Sequence, residues 1–150
     1  MDHFDKQLLD ILQGDSQFSF SQLGEKVGLS ASACHKRVKE MEKSGLIARQ
    51  VVIVDEQEAG LKTSAFVQAT LKDQKEETLA TFEKAIANHR EIMECYLMGG
   101  DSDYLLRILC QDGADYERIH KQILTRLPGV ERVITNFAIR KVFRRTAVPL

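Results

Sequence analysis

Phe4, Leu8, Ile11 and Leu12 recur at helical spacing and predict a first amphipathic helix, with Asp2 or Asp5 placed to favour its start. Gly14-Asp15 breaks that pattern. Ser19 and Gln22 have capping-box spacing, and Phe20, Leu23 and Val27 form the apolar stripe of a second helix ended by Gly28. Leu29 is placed to plug a small core at the turn. Ser30 can cap a third helix, which the pattern carries to about Lys43 before the stop signal Ser44-Gly45. From Leu46 the chain turns β-branched through Ile47, Val51, Val52, Ile53 and Val54, which is strand material. Two helices separated only by the Gly28-Leu29-Ser30 turn have helix-turn-helix proportions, and the following extended segment makes the motif winged.

Asp55-Glu-Gln-Glu-Ala-Gly60 interrupts the strand signal and reads as a linker. A second pattern follows: β formers over Leu61–Leu71, a helix marked by Leu79, Phe82 and Ile86, and a strand over Ile92–Met98. After Gly99-Gly100 it repeats. A strand spans Tyr104–Cys110, a helix is striped by Tyr116, Ile119, Ile123 and Leu127, and a long strand runs from Val130 to about Phe143. The order βαββαβ is that of a ferredoxin-like split unit, with an antiparallel sheet and both helices on one face. Its other sheet face is left open. Thr135, Phe137 and Ile139 are candidates for it, depending on register, and sheet-to-sheet dimerisation would cover it.

The third helix carries two different faces. Cys34, Val38 and Met41 should pack inward, while Ser32, His35 or Lys36, Lys39 and Lys43 recur outward. Arg37 lies between the faces, able to bridge to a phosphate or to brace the domain. A formal net charge of -1 does not by itself suggest nucleic acid, but the distribution does. Between Ser30 and Gln50 five bases (Lys36, Arg37, Lys39, Lys43, Arg49) face two acids (Glu40, Glu42), and a second basic cluster follows at Arg140, Lys141, Arg144 and Arg145. A Lys-rich outer face also suits a plain solvated helix. The short turn before it and the strand after it favour a helix inserted into the major groove, with short donors at its leading end and long cations beside phosphates.

Composition narrows the alternatives. Hydrophobic content of 43% with 29% charged residues reads as a folded, soluble chain, and no apolar run approaches membrane-spanning length, so a cytoplasmic protein is expected. The charged start offers no signal-peptide core. Cys34, Cys95 and Cys110 lie far apart and lack metal-site or disulfide-framework spacing; Cys34 reads as a small buried hydrophobe. No nucleotide cofactor is implied, since Gly-x-Gly-x-x-Gly and Walker patterns are both missing, and no metal is implied, since neither the cysteine spacing nor any calcium loop suggests one. Gly99-Gly100-Asp101-Ser102-Asp103-Tyr104 is the most unusual polar stretch of this half. Its amides and carboxylates suit the ammonium and carboxylate of a small ligand; a tight hairpin is the simpler reading.

Taken in order, these blocks resemble the leucine-responsive/asparagine-synthesis regulator (Lrp/AsnC) family of prokaryotes along nearly the whole chain. The resemblance rests on Phe4-Asp5-Lys6-Gln7-Leu8-Leu9, Leu23-Gly24-Glu25-Lys26-Val27-Gly28-Leu29-Ser30, Cys34-His35-Lys36-Arg37-Val38-Lys39 and Gly45-Leu46-Ile47. It continues with Gly100-Asp101-Ser102-Asp103-Tyr104-Leu105-Leu106, Leu127-Pro128-Gly129-Val130 and Thr146-Ala147-Val148-Pro149-Leu150. The resemblance implies an α+β protein, with a winged helix-turn-helix and linker strand over 1–54, a linker over 55–60, and a ferredoxin-like βαββαβ regulatory domain over 61–150.

It further implies a regulator of amino-acid metabolism or nutrient response that binds promoter DNA as a homodimer, with assembly to tetramers or octamers. The DNA-reading residues would be Ser30, Ser32, Ala33, His35, Lys36, Arg37, Lys39 and Lys43. A small amino-acid effector would bind at Gly100, Asp101, Asp103 and Tyr104, with Thr135 added to that set. The segment around Val51–Val54 would pair with its counterpart across the dimer. Ser32-Ala33 departs from the family's frequent threonine-proline pair, Ala48-Arg49-Gln50 from its usual base beside the wing, and Met98-Gly99 and Ser102 from its usual turn. The first changes base contacts and the last two change the effector. Three rivals remain: a nucleoid-associated architectural protein, an enzyme like the haem-pathway decarboxylases that share this architecture, and a purely structural or ligand-storage module. His3, His35, His89 and His120 form no evident catalytic constellation, so no enzyme is expected.

Overall fold

The computed structural model describes residues 1–150, which divide into two compact units. One comprises Met1–Ile53 with Val142–Leu150, the other Val54–Lys141.

The first unit is built on three helices, α1 (His3–Gly14), α2 (Phe20–Val27) and α3 (Ala31–Lys43). Each begins with a side-chain cap. Asp2 and Asp5 satisfy each other's backbone N–H groups at the head of α1, and Ser19 and Gln22 do so for α2. Ser30 Oγ accepts the Ala33 N–H at 3.2 Å and starts α3. Leu8, Leu23 and Cys34 are fully buried, joined by Leu9, Val27, Val38 and Met41. Burying each leucine contributes about 1.5–3 kcal/mol.

The turn between α2 and α3 is set by two glycines. Gly28 adopts φ +74° and donates to Gly24 O at 2.8 Å, a left-handed stop that a side chain would strain. Gly24 instead permits close approach. A Cβ there would meet the Leu29 carbonyl oxygen at 2.3 Å.

The second unit holds β1 (Thr63–Leu71), α4 (Glu76–Ile86), β2 (Ile92–Leu97), β3 (Tyr104–Cys110), α5 (Gly113–Gln122), a short 3-10 turn (Leu124–Arg126) and β4 (Val130–Phe137). All strand pairs are antiparallel in the order β2-β3-β1-β4, the ferredoxin-like arrangement. Ala65, Val67, Ala69 and Leu71 alternate onto the helix side, where they meet Leu106, Ile108, Phe82, Ile119 and Leu124.

Two expected strand segments do not form. Residues 47–54 make no ladder, so the first unit has three helices and no β wing. Val51, Val52, Ile53 and Val54 stay exposed, Val52 at 88%. β propensity expresses a fit to a neighbouring strand, and this segment has none within the chain. The last strand likewise stops at Phe137, six residues before Phe143, because its partner β1 pairs no further than Ala65 with Phe137. Ile139, Val142 and Phe143 are consequently exposed.

Register also corrects the open sheet face. Thr135 and Phe137 point to the helices: the Thr135 hydroxyl pairs with that of Tyr116, and the Phe137 ring packs edge-on to Tyr116 at 4.9 Å. Alternation puts Phe66, Tyr96, Leu105 and Ile134 on the open face instead. Arg107 shares that face and is buried, its guanidinium 2.8 Å from Glu56 and 3.5 Å from Glu94. Glu56 belongs to the 55–60 segment, a hydrogen-bonded turn in which Asp55 accepts from the Gln57 and Glu58 N–H groups.

Gly24→Ala should destabilise the helical unit by about 1–3 kcal/mol through overpacking against Leu29, measured by chemical denaturation. Gly14→Ala, with nothing within 4 Å, should be tolerated.

Candidate nucleic-acid interface and effector site

The apolar stripe of α3 fixes its outward face. With Cys34, Val38 and Met41 buried, Ser32, His35, Lys36, Lys39 and Lys43 are all exposed. Burial pushes the Cys34 thiol above its ordinary range, which keeps it protonated and inert. At the leading end Ser30 Oγ lies 3.1 Å from Ser32 Oγ, so two hydroxyls stand together at the helix N-terminus. Ala33 is half-buried there, and His35 packs edge-on to Phe20 with ring centroids 4.9 Å apart.

The cations are not equivalent. Lys39 reaches Glu42 at 2.6 Å, whereas Lys36 and Lys43 are exposed with no acid in salt-bridge range. Arg37 is a brace. Its Nη1 donates to Asp2 at 2.7 Å and to Asp5 at 2.8 Å, and its guanidinium lies 5.5 Å from the Phe4 ring centroid. The two carboxylates that cap α1 therefore also tie α3 to it. The backbone N–H of Asp5, and then Arg37, hold the Asp2 carboxyl below its ordinary range. Asp5 and Asp2 raise the Arg37 pKa in turn.

The expected effector residues separate into three groups. Gly99 and Gly100 stand in open space, and Asp101 is exposed, on the turn between β2 and β3. Asp103 and Tyr104 face inward. The Asp103 carboxylate accepts from Leu71 N–H at 2.7 Å and closes the end of β1. Tyr104 is buried against Phe82 and donates its hydroxyl to Glu83 at 2.7 Å; burial and that carboxylate push its pKa well up. Thr135 sits opposite Val67 against α5, engaged with Tyr116, and does not join the turn. A shallow groove of about 300 Å³ runs along β2 and α4 and includes Tyr104, Glu83, Cys95 and Leu97.

Sequence reasoning missed the Arg107–Glu56 pair. A single arginine inside Leu105-Leu106-Arg107-Ile108-Leu109 was the available signal, since a buried cation in an apolar strand demands a carboxylate. It also missed Gln13. Its side chain accepts the Val148 N–H at 2.7 Å and donates to the Val148 carbonyl at 3.3 Å, an association no periodicity reports.

A three-helix unit with an outward basic helix, joined to a ferredoxin-like domain, defines a two-domain DNA-binding regulator. Residues 1–42 match the AsnC-type helix-turn-helix domain, and residues 64–148 match the Lrp/AsnC ligand binding domain. The chain is 35% identical over 150 residues to the Bkd operon transcriptional regulator of Pseudomonas aeruginosa, covering 100% of this chain and 98% of that one. It is 32% identical over 150 residues to the glutamate uptake regulatory protein of Zymomonas mobilis, covering 100% and 91%. The crystal structure of an AsnC family transcriptional regulator from Agrobacterium tumefaciens superposes with TM-score 0.95 at 34% identity, covering 99% of this chain and 97% of that one. The chain belongs to the Lrp/AsnC family of transcriptional regulators. Its family and fold are regulatory rather than catalytic. No helix is long and apolar enough to cross a membrane.

Arg37→Gln should lower the melting temperature of the helical unit, since it removes both contacts to α1. The pH dependence has a definite sign. A carboxylate held below its ordinary pKa in the folded state contributes stability at neutral pH and loses it as pH falls through the lowered value. Asp2→Asn should therefore melt lower than wild type at neutral pH, with the difference shrinking below about pH 4.

Proposed function

We propose that this protein is a sequence-specific regulator of amino-acid metabolism or nutrient response whose DNA occupancy is set by a small amino acid. The observation that carries the DNA half is the outward stripe of α3, Ser32, Lys36, Lys39 and Lys43, opposite a fully apolar inner face. Short donors at the helix start suit base edges, and the long cations suit flanking phosphates. Lys36 and Lys43 anchor phosphates, while Ser30, Ser32, Ala33 and His35 orient the helix or meet bases. Arg37 acts from behind, by holding α3 on α1.

A homodimer presents two such helices to one side of the duplex, so the operator is a pseudo-palindrome. The exposed apolar residues Phe66, Tyr96 and Ile134 of the open sheet face, with the unpaired Val51–Val54, support that dimer, and assembly extends from it to tetramers or octamers. The setting is the cytoplasm, on the nucleoid.

The amino-acid half rests on kinship. Relatives are named for the Bkd operon and for glutamate uptake, and a transcriptional regulator of Neisseria meningitidis, 23% identical and sharing the fold, was solved as an L-methionine complex. Gly100 and Asp101 offer an open turn and a carboxylate for the effector's ammonium, with Asp103 and Tyr104 shaping the surroundings. The effector changes DNA affinity only by favouring one assembly over another.

Recovery of bound DNA genome-wide from the native organism tests this reading, with each recovered site retested at fixed salt with and without each amino acid. A recurring pseudo-palindrome near promoters, with occupancy shifted by a particular amino acid, is expected. Equal, weak binding to all fragments would instead mark an architectural protein. Lys36→Gln should reduce the slope of log Kd against log salt by about 1 per engaged protomer, and Arg37→Gln should leave it unchanged. Asp101→Asn should abolish the amino-acid response while wild-type DNA affinity without effector is retained.

A further inference from the structure

The short side chains at the leading end of α3 do not have equal freedom to meet DNA. Ala33 has no polar side-chain atom. Ser30 Oγ is committed to the helix cap, where it accepts the Ala33 N–H, and the Ser32 hydroxyl lies 3.1 Å from it. His35 stands about one turn further on, on the same outward face as Ser32, and is exposed. Its ring nitrogens make no hydrogen bond or ion pair within the chain, so the polar edge of the imidazole is open to solvent.

The nitrogens are free, but the ring is held. Phe20 meets it with ring centroids 4.9 Å apart and planes at 82°, an edge-on geometry that aromatic pairs favour. Phe20 is itself fixed. It is the first residue of α2, directly after the Ser19 cap with its reciprocal Gln22 bond, and it is half-buried against the core of the helical unit. The α2–α3 turn, shaped by Gly24 and Gly28, brings α2 beside α3. An exposed side chain that must settle into one rotamer on binding loses entropy as it does so. Here a ring from the neighbouring helix supplies that constraint before DNA arrives.

Side chains near the start of a helix in the major groove meet base edges, whereas long cations beside them meet phosphates. In either protonation state an imidazole carries at least one N–H donor. The acceptor that both adenine and guanine present to the major groove is N7, which pyrimidines lack. We propose that His35 is a base-reading residue, donating to N7 of a purine in each operator half-site, and that Phe20 is a positioning residue that fixes its ring. This deepens the DNA-binding reading and rests on it.

The test begins with selection of duplexes from a randomised pool by the full chain. Affinities are then measured at fixed salt for the selected duplex with each base pair replaced in turn. His35→Ala should reduce discrimination at one base pair of each half-site by about 5-fold or more, while preferences at the other positions, read on the same protein, persist. Phe20→Leu, which keeps an apolar side chain against the core, should weaken discrimination at that same base pair. In the His35→Ala background it should add nothing there. Replacing the purine by its 7-deaza analogue should weaken wild-type binding and leave His35→Ala binding unchanged. Undiminished discrimination at every position in His35→Ala, or an equal 7-deaza loss in both proteins, would overturn the inference. Phe20→Leu without effect at that base pair, or with an additive loss in the double variant, would overturn the positioning role. A wild type that selects no motif would overturn the sequence-specific reading as well.

Discussion

Burial of Cys34, Val38 and Met41 against the first two helices is the constraint on which the interface depends. A helix turns about 100° per residue, so a slip of one position would carry Lys36 and Lys39 off the outward face. The inner face therefore does more than stabilise. It decides which side chains a duplex meets. Gly24 and Gly28 serve the same end from α2, one by letting the Leu29 carbonyl come close and the other by ending the helix in a left-handed turn. Arg37 completes the arrangement from the far side, since its guanidinium joins the capping carboxylates of α1 to α3. A cation of the third helix is thus committed to holding the helix rather than to nucleic acid.

The second unit follows a different logic. Its sheet has one face covered by helices and one left open, and the open face mixes exposed Phe66, Tyr96 and Ile134 with the buried Arg107–Glu56 pair. Each charge has a further partner, Glu94 for Arg107 and Lys141 for Glu56, so the pair belongs to a small network. The pair pins the 55–60 turn to the strand beneath it, and Lys141 lies 3.3 Å from Glu56. On the helix side Tyr104 and Asp103 are engaged with Glu83 and the β1 terminus, which leaves Gly100 and Asp101 as the open part of the polar turn.

Most of this was legible in the residues where the signal is local. Ser19 with Gln22, Ser30 and Gly28 mark helix ends by their own hydrogen-bonding chemistry, and the structure uses each as a cap or stop. The βαββαβ order followed from apolar period and turn residues. What escaped was what depends on a partner. Val51–Val54 and Ile139–Phe143 have strand composition, but a strand needs a neighbour, and neither segment finds one within the chain. Thr135 and Phe137 changed face because register is set by pairing with β1, and a shift of one residue inverts every side chain. The Arg37 brace and the Gln13–Val148 contact join residues far apart in sequence, beyond the reach of any periodicity.

The central claim is that the outward face of α3 meets DNA because its inner face is locked. Photo-crosslinking to duplex DNA tests it most directly, with a photoreactive side chain placed in turn at Ser32, Lys36 and Glu117, the last exposed on α5. The account predicts efficient crosslinks from the first two positions and background yield from the third. Background yield from Ser32 and Lys36, or an equal yield from Glu117, would contradict it.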